Sequence, residues 1–183
     1  MQNIIFATMM KWHAIRVTYG RELKFQIQLQ EAGFETFIPM TLKKSEKDGR
    51  KETKVVPAVS NLCFVHTEQQ TLYEFFQIMG EACPGRFIWD KYTRNPITVP
   101  DKAMRDFMLV STAMLEDTIY LNEINSKLRE GQKVRVTQGP FKGIEGKVVR
   151  IKKSRRVMVE LPGMLAIATT FIPNEFLEPI SVE

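Results

Sequence analysis

The sequence predicts an α+β fold in which an N-terminal antiparallel sheet with packed helices is followed by a small β-barrel. Three observations carry this reading. Over residues 11–116 the apolar spacing switches between strand and helix periods, in the order strand, helix, strands, helix, strand, helix. From Gly131 onward, short apolar runs separated by turn residues recur five times in about fifty residues. The charge balance also changes along the chain. Lys and Arg against Asp and Glu number 15 and 14 over residues 1–117, 2 and 2 over 118–130, and 9 and 5 over 131–183. The excess behind the net charge of +5 therefore lies mostly in the last segment, a unit suited to an anionic partner.

The 183 residues are 44% hydrophobic and 26% charged. Those values suit one or two globular domains and exclude a disordered chain, a collagen-like repeat and a coiled-coil rod. The longest uncharged stretch, Leu161 to Asn174, contains Pro162, Gly163 and Pro173 and falls short of the about 20 apolar residues that a spanning helix needs. Met1 to Met10 has no basic residue ahead of Ile4-Ile5-Phe6-Ala7 and no small-residue cleavage pattern after it, so a cytoplasmic protein without membrane contact is expected. The soft ligands are Cys63, Cys83, His13 and His66, scattered and without CxxC spacing. Neither a disulfide framework nor a metal or cofactor site is expected from them.

Element by element, Trp12 to Val17 reads as a short buried strand ended by Thr18-Tyr19-Gly20. Arg21 to Ala32 is ambiguous. Leu23, Phe25, Ile27 and Leu29 alternate with polar residues at strand period, yet Arg, Glu, Leu, Lys and Gln form helices well and Gly33 stands where a helix would stop. Phe34 to Pro39 alternates as a strand. Lys43 to Lys54 holds six basic and three acidic residues around Asp48-Gly49, which marks an exposed hairpin tip or mobile loop. Asn61 to Thr67 is a continuous apolar run suited to a central strand. Leu72, Phe75, Phe76 and Met79 form a helical stripe that Gly80 ends. Arg86 to Trp89 is a further strand, and Pro100-Asp101 opens a helix carrying Ala103, Met104, Phe107, Met108 and Val110.

Glu116 to Glu130 shows no strong period and is read as a connector, giving units over residues 1–116 and 131–183 joined by 117–130. Strands are expected over 133–136, 146–151, 157–161, 166–171 and 176–177. Between the first two lies Gly139-Pro140-Phe141-Lys142-Gly143-Ile144-Glu145-Gly146. Pro140 sets φ at a turn, Gly143 supplies a positive φ, Gly146 permits close backbone approach, and Phe141 gives apolar cover.

With the preceding Gly131-x-x-Val134-x-Val136, this string resembles the KOW motif of NusG-type transcription factors and several ribosomal proteins. The N-terminal part is similar to the NusG N-terminal (NGN) domain. Trp12, Pro39, the run Pro57-Ala58-Val59-Ser60-Asn61-Leu62-Cys63-Phe64-Val65 and Pro96-Ile97-Thr98-Val99-Pro100 fall in that family's order. The resemblance makes Arg21 to Ala32 a helix and the C-terminal barrel SH3-like. The charged insertion and the Pro100 helix start look most like the specialised UpxY-like antiterminators of surface-polysaccharide operons.

The resemblance implies a transcription elongation and antitermination factor with no catalytic residues. Its apolar hollow would hold the clamp helices of the largest RNA polymerase subunit through Trp12, Val59, Leu62, Met104 and Phe107, with Val59 and Leu62 standing where the family has aromatic residues. Glu68, Gln69 and Thr71 match a polar contact to the other large polymerase subunit. Arg16, Arg21 and Lys24 are candidates for the non-template DNA strand. Leu161-Pro162-Gly163 matches the loop by which the KOW domain meets a ribosomal protein or Rho. Lys152, Lys153, Arg155 and Arg156 cluster between two strands as a contact to RNA or DNA phosphates, nascent RNA included. The competing reading is a ribosome-associated RNA-binding module. An enzyme is disfavoured, because His13 and His66 lack a partner at motif spacing and no phosphate loop is present.

Overall fold

The computed structural model describes residues 9–47, 50–113, 115, 119–121, 131–151, 153–161 and 164–180. In chain order the elements are β1 (Lys11–Val17), α1 (Glu22–Glu31), β2 (Glu35–Phe37), β3 (Met40–Lys47), β4 (Arg50–Pro57) and β5 (Leu62–Thr67). There follow α2 (Gln69–Met79), β6 (Gly85–Phe87), β7 (Thr98–Val99), α3 (Asp101–Ala113) and β8 (Ile119–Leu121). The last five strands are β9 (Lys133–Val136), β10 (Glu145–Ile151), β11 (Ser154–Leu161), β12 (Leu165–Ala168) and β13 (Leu177–Pro179). The α+β class and the antiparallel sheets are as expected. Two compact units result, Met1–Ile38 with Ser60–Asp101, and Pro39–Val59 with Lys102–Glu183.

In the first unit the strands run β2-β5-β1-β6, with β7 also paired to β1. The apolar runs of β1 and β5 take the interior positions because both faces of these strands are covered. Trp12 to Ile15 and Leu62 to Val65 are all buried. Helix α1 settles the ambiguous segment. It buries Glu22, Phe25 and Leu29 and leaves Leu23 and Ile27 about half exposed, at 45% and 55%. Half of the alternating apolar residues therefore face water, which is why their spacing misleads. The buried Glu22 accepts the backbone N–H of Asn61 at 2.5 Å, where the chain turns into β5 at a positive φ of 61°. The carboxylate thereby satisfies a donor at a turn that asparagine tolerates better than most residues.

The second unit holds the β3–β4 hairpin and a six-stranded sheet ordered β13-β9-β10-β11-β12-β8. The charged stretch read as a hairpin tip or loop is thus two eight-residue strands. Most of their side chains are exposed, so backbone pairing forms them without a buried stripe to announce it. Two short strands escape the sequence reading. Thr98–Val99 pairs with Trp12 and His13, and Ile119–Leu121, inside the stretch read as connector, pairs with Ala166 to Ala168. The strand expected over 166–171 ends at Ala168 because Thr169 changes role. Its hydroxyl, not its carbonyl, takes the Val157 N–H at 3.0 Å, and its carbonyl accepts from Arg156 Nη1 at 2.7 Å.

Candidate functional site

The KOW turn has the geometry its residues prescribe. Gly139 and Gly143 stand at φ of 78° and 89°, and Phe141 is 4% exposed. Gly143 N–H donates to Val136 O at 2.7 Å and Val136 N–H to Ile144 O at 2.9 Å, closing the turn. A Cβ on Gly146 would overlap the carbonyl of Met158 on β11, so this position needs glycine for space rather than for φ. Pro140 is exposed.

Helix α3 reaches this turn. Lys102 Nζ donates to Gly143 O at 3.0 Å and is paired with Asp106, one helical turn on. Asp106 Oδ2 accepts the Glu145 N–H at 3.2 Å, while the Glu145 carboxylate pairs with Arg135 at 2.8 Å. That bond from Arg135 holds the Glu145 carboxyl below its ordinary pKa. Met104 and Phe107, the α3 residues matched to a polymerase hollow, have no exposed surface. The Tyr120 ring stands edge-on to Phe107 with centroids 6.3 Å apart. Tyr120 Oη bonds Ser111 Oγ at 2.7 Å and donates to Met40 O at 3.3 Å. The strand β8 is therefore fastened to α3, to the β3 end and to β12. Of the other residues matched to that hollow, Val59 is half-buried in the second unit. Trp12 and Leu62, 5% and 3% exposed, belong to the first.

In the first unit, Trp12 stacks on His66 with centroids 4.8 Å apart. His66 Nδ1 lies 2.7 Å from Glu35 Oε2 and Nε2 lies 3.9 Å from Asp101 Oδ1. Glu68 is the N-cap residue of α2 without a side-chain cap bond, and Gln69 and Thr71 on the first turn are exposed. Arg16 is exposed and directly opposite Arg86 across β1 and β6, a partner that spacing along the chain did not reveal. Arg21 lies over the exposed Tyr19 ring at 5.5 Å and donates to Thr18 O at 3.3 Å. Lys24 is exposed on α1.

Of the four basic residues assigned to a barrel turn, Arg155 is half-buried on β11. Arg156 donates to Thr169 O at 2.7 Å, Lys153 is exposed at the turn, and Lys152 lies outside the described residues. In the loop Leu161-Pro162-Gly163, Leu161 is fully buried, and Pro162 and Gly163 also lie outside them. Both cysteines are free and buried, and burial pushes the Cys63 thiol up to about 12, far from a nucleophile's range. Among the described residues no cluster of three or more His, Cys, Asp or Glu could hold a metal ion. None of their helices is long and apolar enough to cross a membrane.

Sheet, helices and glycine turn together define a two-module protein with a mixed α/β part followed by a KOW domain. A family model described as transcription termination factor NusG matches residues 10–108, and a KOW motif model matches residues 130–160. The chain belongs to the NusG family of transcription factors, which are not enzymes. Among solved structures it is similar to one titled "Domain interaction in Thermotoga maritima NusG", at 16% identity, over 94% of this chain and 98% of that one, with a TM-score of 0.46. No curated protein matches the chain significantly.

Proposed function

We propose that this NusG-family protein binds RNA polymerase and promotes processive elongation and antitermination at particular operons, in the manner of UpxY-like paralogues acting on surface-polysaccharide genes in the cytoplasm. The observation that carries the reading is the succession of a NusG match over residues 10–108 and a KOW match over 130–160 in one chain. On this reading residues 1–116 engage the polymerase, 117–130 connect, and 131–183 carry the KOW partner function. No bond is made or broken; the protein acts by holding the polymerase clamp. Trp12, Val59, Leu62, Met104 and Phe107 contact the clamp helices, Glu68, Gln69 and Thr71 the second large subunit, and Arg16, Arg21 and Lys24 the non-template strand. The loop at Leu161 takes a ribosomal protein or Rho.

Burial adds a condition to this reading. Met104 and Phe107 expose nothing, so a polymerase helix reaches them only after the side chains that cover them, among them Tyr120 on Phe107, move aside. With Val59 and Leu62 standing where the family has aromatic residues, the hollow then relies on buried area for affinity. The test is binding of the purified protein to bacterial core RNA polymerase, followed by pause lifetime in a transcribing complex. Specific binding with altered pausing, both weakened by Val59→Glu in a folded protein, is the expected result. Failure to bind where a control NusG binds overturns the reading and favours a ribosomal or RNA-binding role.

A further inference from the structure

Strand β6 ends the strand order of the first sheet, and among the described residues no strand pairs with its outer edge. The register shows which backbone groups lie on that edge. Ile88 N–H donates to Ala14 O and Thr18 N–H to Pro84 O, so residues 84, 86 and 88 turn their polar groups toward β1. Gly85 and Phe87, at the alternate positions, point theirs away from it. The hairpin beyond β6 continues the pattern. Ile97 N–H donates to Ile88 O and Asp90 N–H to Asn95 O, which leaves the Trp89 N–H and C=O on the same outer edge. Gly85 O is taken by Arg86 Nη1 at 2.7 Å. Phe87 and Trp89 each present an N–H and a C=O to a further strand, with no bonded partner for them among the described residues.

The side chains flanking this edge differ in kind, because successive residues of a strand project from opposite faces. On the face of Phe87 and Trp89, a groove of about 360 Å³ opens beside α2, lined by Tyr73, Phe76, Gly80, Phe87 and Trp89 among others. The half-buried Phe76 and Phe87 pack together with ring centroids 5.3 Å apart, while Tyr73 and Trp89 are 50% and 57% exposed. On the opposite face Arg86 stands directly across from Arg16, and both are exposed. Like charges so opposed weaken a strand pair. Among the described residues no carboxylate pairs with either guanidinium. The Asp90 carboxylate is committed to the Tyr92 and Thr93 N–H groups, at 2.9 and 2.7 Å.

We propose that an extended acidic segment of another protein adds to this edge as a strand. Its backbone pairs with Phe87 and Trp89, and its alternate apolar side chains enter the groove. Acidic side chains at the positions between them meet Arg86 and Arg16. A nucleic-acid backbone matches only half of this surface, because phosphates accept hydrogen bonds and cannot donate to the Phe87 and Trp89 carbonyls. Apart from Arg16, the site uses no residue assigned above to the polymerase or to DNA.

The test titrates the full-length protein with a labelled peptide of about eight residues, a strand's length, that alternates glutamate with leucine. Amide exchange at Phe87 and Trp89 is followed by NMR. At saturation those amides gain at least about tenfold protection, as a newly closed ladder requires, while Arg86, already bonded to β1, gains little. N-methylation of the peptide amides that face β6 abolishes binding, and methylation of the other set does not. Tyr73→Ala/Trp89→Ala, which truncates two exposed side chains, lowers affinity at least about tenfold. In Arg86→Glu the glutamate peptide weakens and its lysine counterpart strengthens, a change of sign that misfolding does not produce. Binding that ignores which amides are methylated overturns the proposal, as does equal affinity for a scrambled peptide in which glutamate and leucine no longer alternate. So does a protein that binds none of these peptides, including the case in which Tyr73→Ala/Trp89→Ala weakens binding of single-stranded DNA instead.

Discussion

Asp106 and Glu145 are 39 positions apart and joined by a hydrogen bond, the Glu145 N–H donating to Asp106 Oδ2 at 3.2 Å. Asp106 lies in the segment matched to NusG and Glu145 in the segment matched to KOW. The bond, reinforced by Lys102 on Gly143 O, therefore ties the helix carrying Met104 and Phe107 to the KOW turn. Asp106→Ala removes the acceptor and leaves a half-buried N–H without it, a loss of about 1 to 3 kcal/mol, read as a lower urea midpoint. If polymerase binding needs α3 uncovered, Lys102→Ala/Asp106→Ala binds polymerase more tightly than wild type although it is less stable. Weaker binding in a folded double variant would refute the idea that the contact competes with polymerase.

Tyr120 makes a separate claim about the same region. Its hydroxyl is bonded to Ser111 Oγ at 2.7 Å, and Ser111 is 1% exposed. Tyr120→Phe keeps the ring against Phe107 and deletes only the hydroxyl, removing its bonds to Ser111 Oγ and to Met40 O at a cost of about 1 to 2 kcal/mol. A double-mutant cycle with Ser111→Ala then returns a coupling of at least about 0.5 kcal/mol. Strict additivity of the two losses would show that the bond does not fasten β8.

Why β8 went unread from the sequence is instructive. Ile119, Tyr120 and Leu121 are all half-buried, and three residues are too few to show a period against helix-forming neighbours. Their strand state comes from pairing with β12, more than forty positions away, a tertiary effect that local pattern does not encode. By contrast β5, α2 and the KOW turn were legible, because continuous burial, a helical stripe and obligatory glycines each leave a local trace. The basic cluster at the β10–β11 turn was half legible. Composition located the charges, but only strand register shows that Arg150 joins Arg155 and that Arg156 turns away.

The glycines of the KOW turn separate two causes of the same requirement. Gly143 has φ 89° and open space around its missing Cβ, so Gly143→Ala suffers only backbone strain, about 1 to 2 kcal/mol. Gly146 has no such φ, but a Cβ there meets the Met158 backbone and the Val157 side chain, and Gly146→Ala forces β10 from β11 at a cost of about 1 to 3 kcal/mol. Gly143→Asn distinguishes them, since asparagine tolerates the left-handed region. It should recover part of the Gly143→Ala loss, whereas Gly146→Asn should be worse than Gly146→Ala. Equal behaviour of the two series in thermal denaturation would contradict this division.

His13 gives the fold a defined pH response. The ring is 1% exposed, its Nε2 is 3.1 Å from Thr67 O, and its Nδ1 has no hydrogen-bond partner. Desolvation lowers its pKa from the ordinary 6.5, with the bond to Thr67 opposing in part. Below about pH 6.5 the unfolded chain takes up a proton at this residue that the folded chain refuses, so stability contributed by the neutral ring is present above that pH and declines as pH falls towards the folded pKa. In urea titrations at about pH 7.5 and 5.5, the wild-type midpoint should drop more than that of His13→Gln, whose amide can still donate to Thr67 O but does not titrate. The variant costs some packing at both pH values, which leaves the difference between them as the informative quantity. An equal drop in the two proteins would mean that His13 is protonated in the folded state and that its buried position carries no pH response.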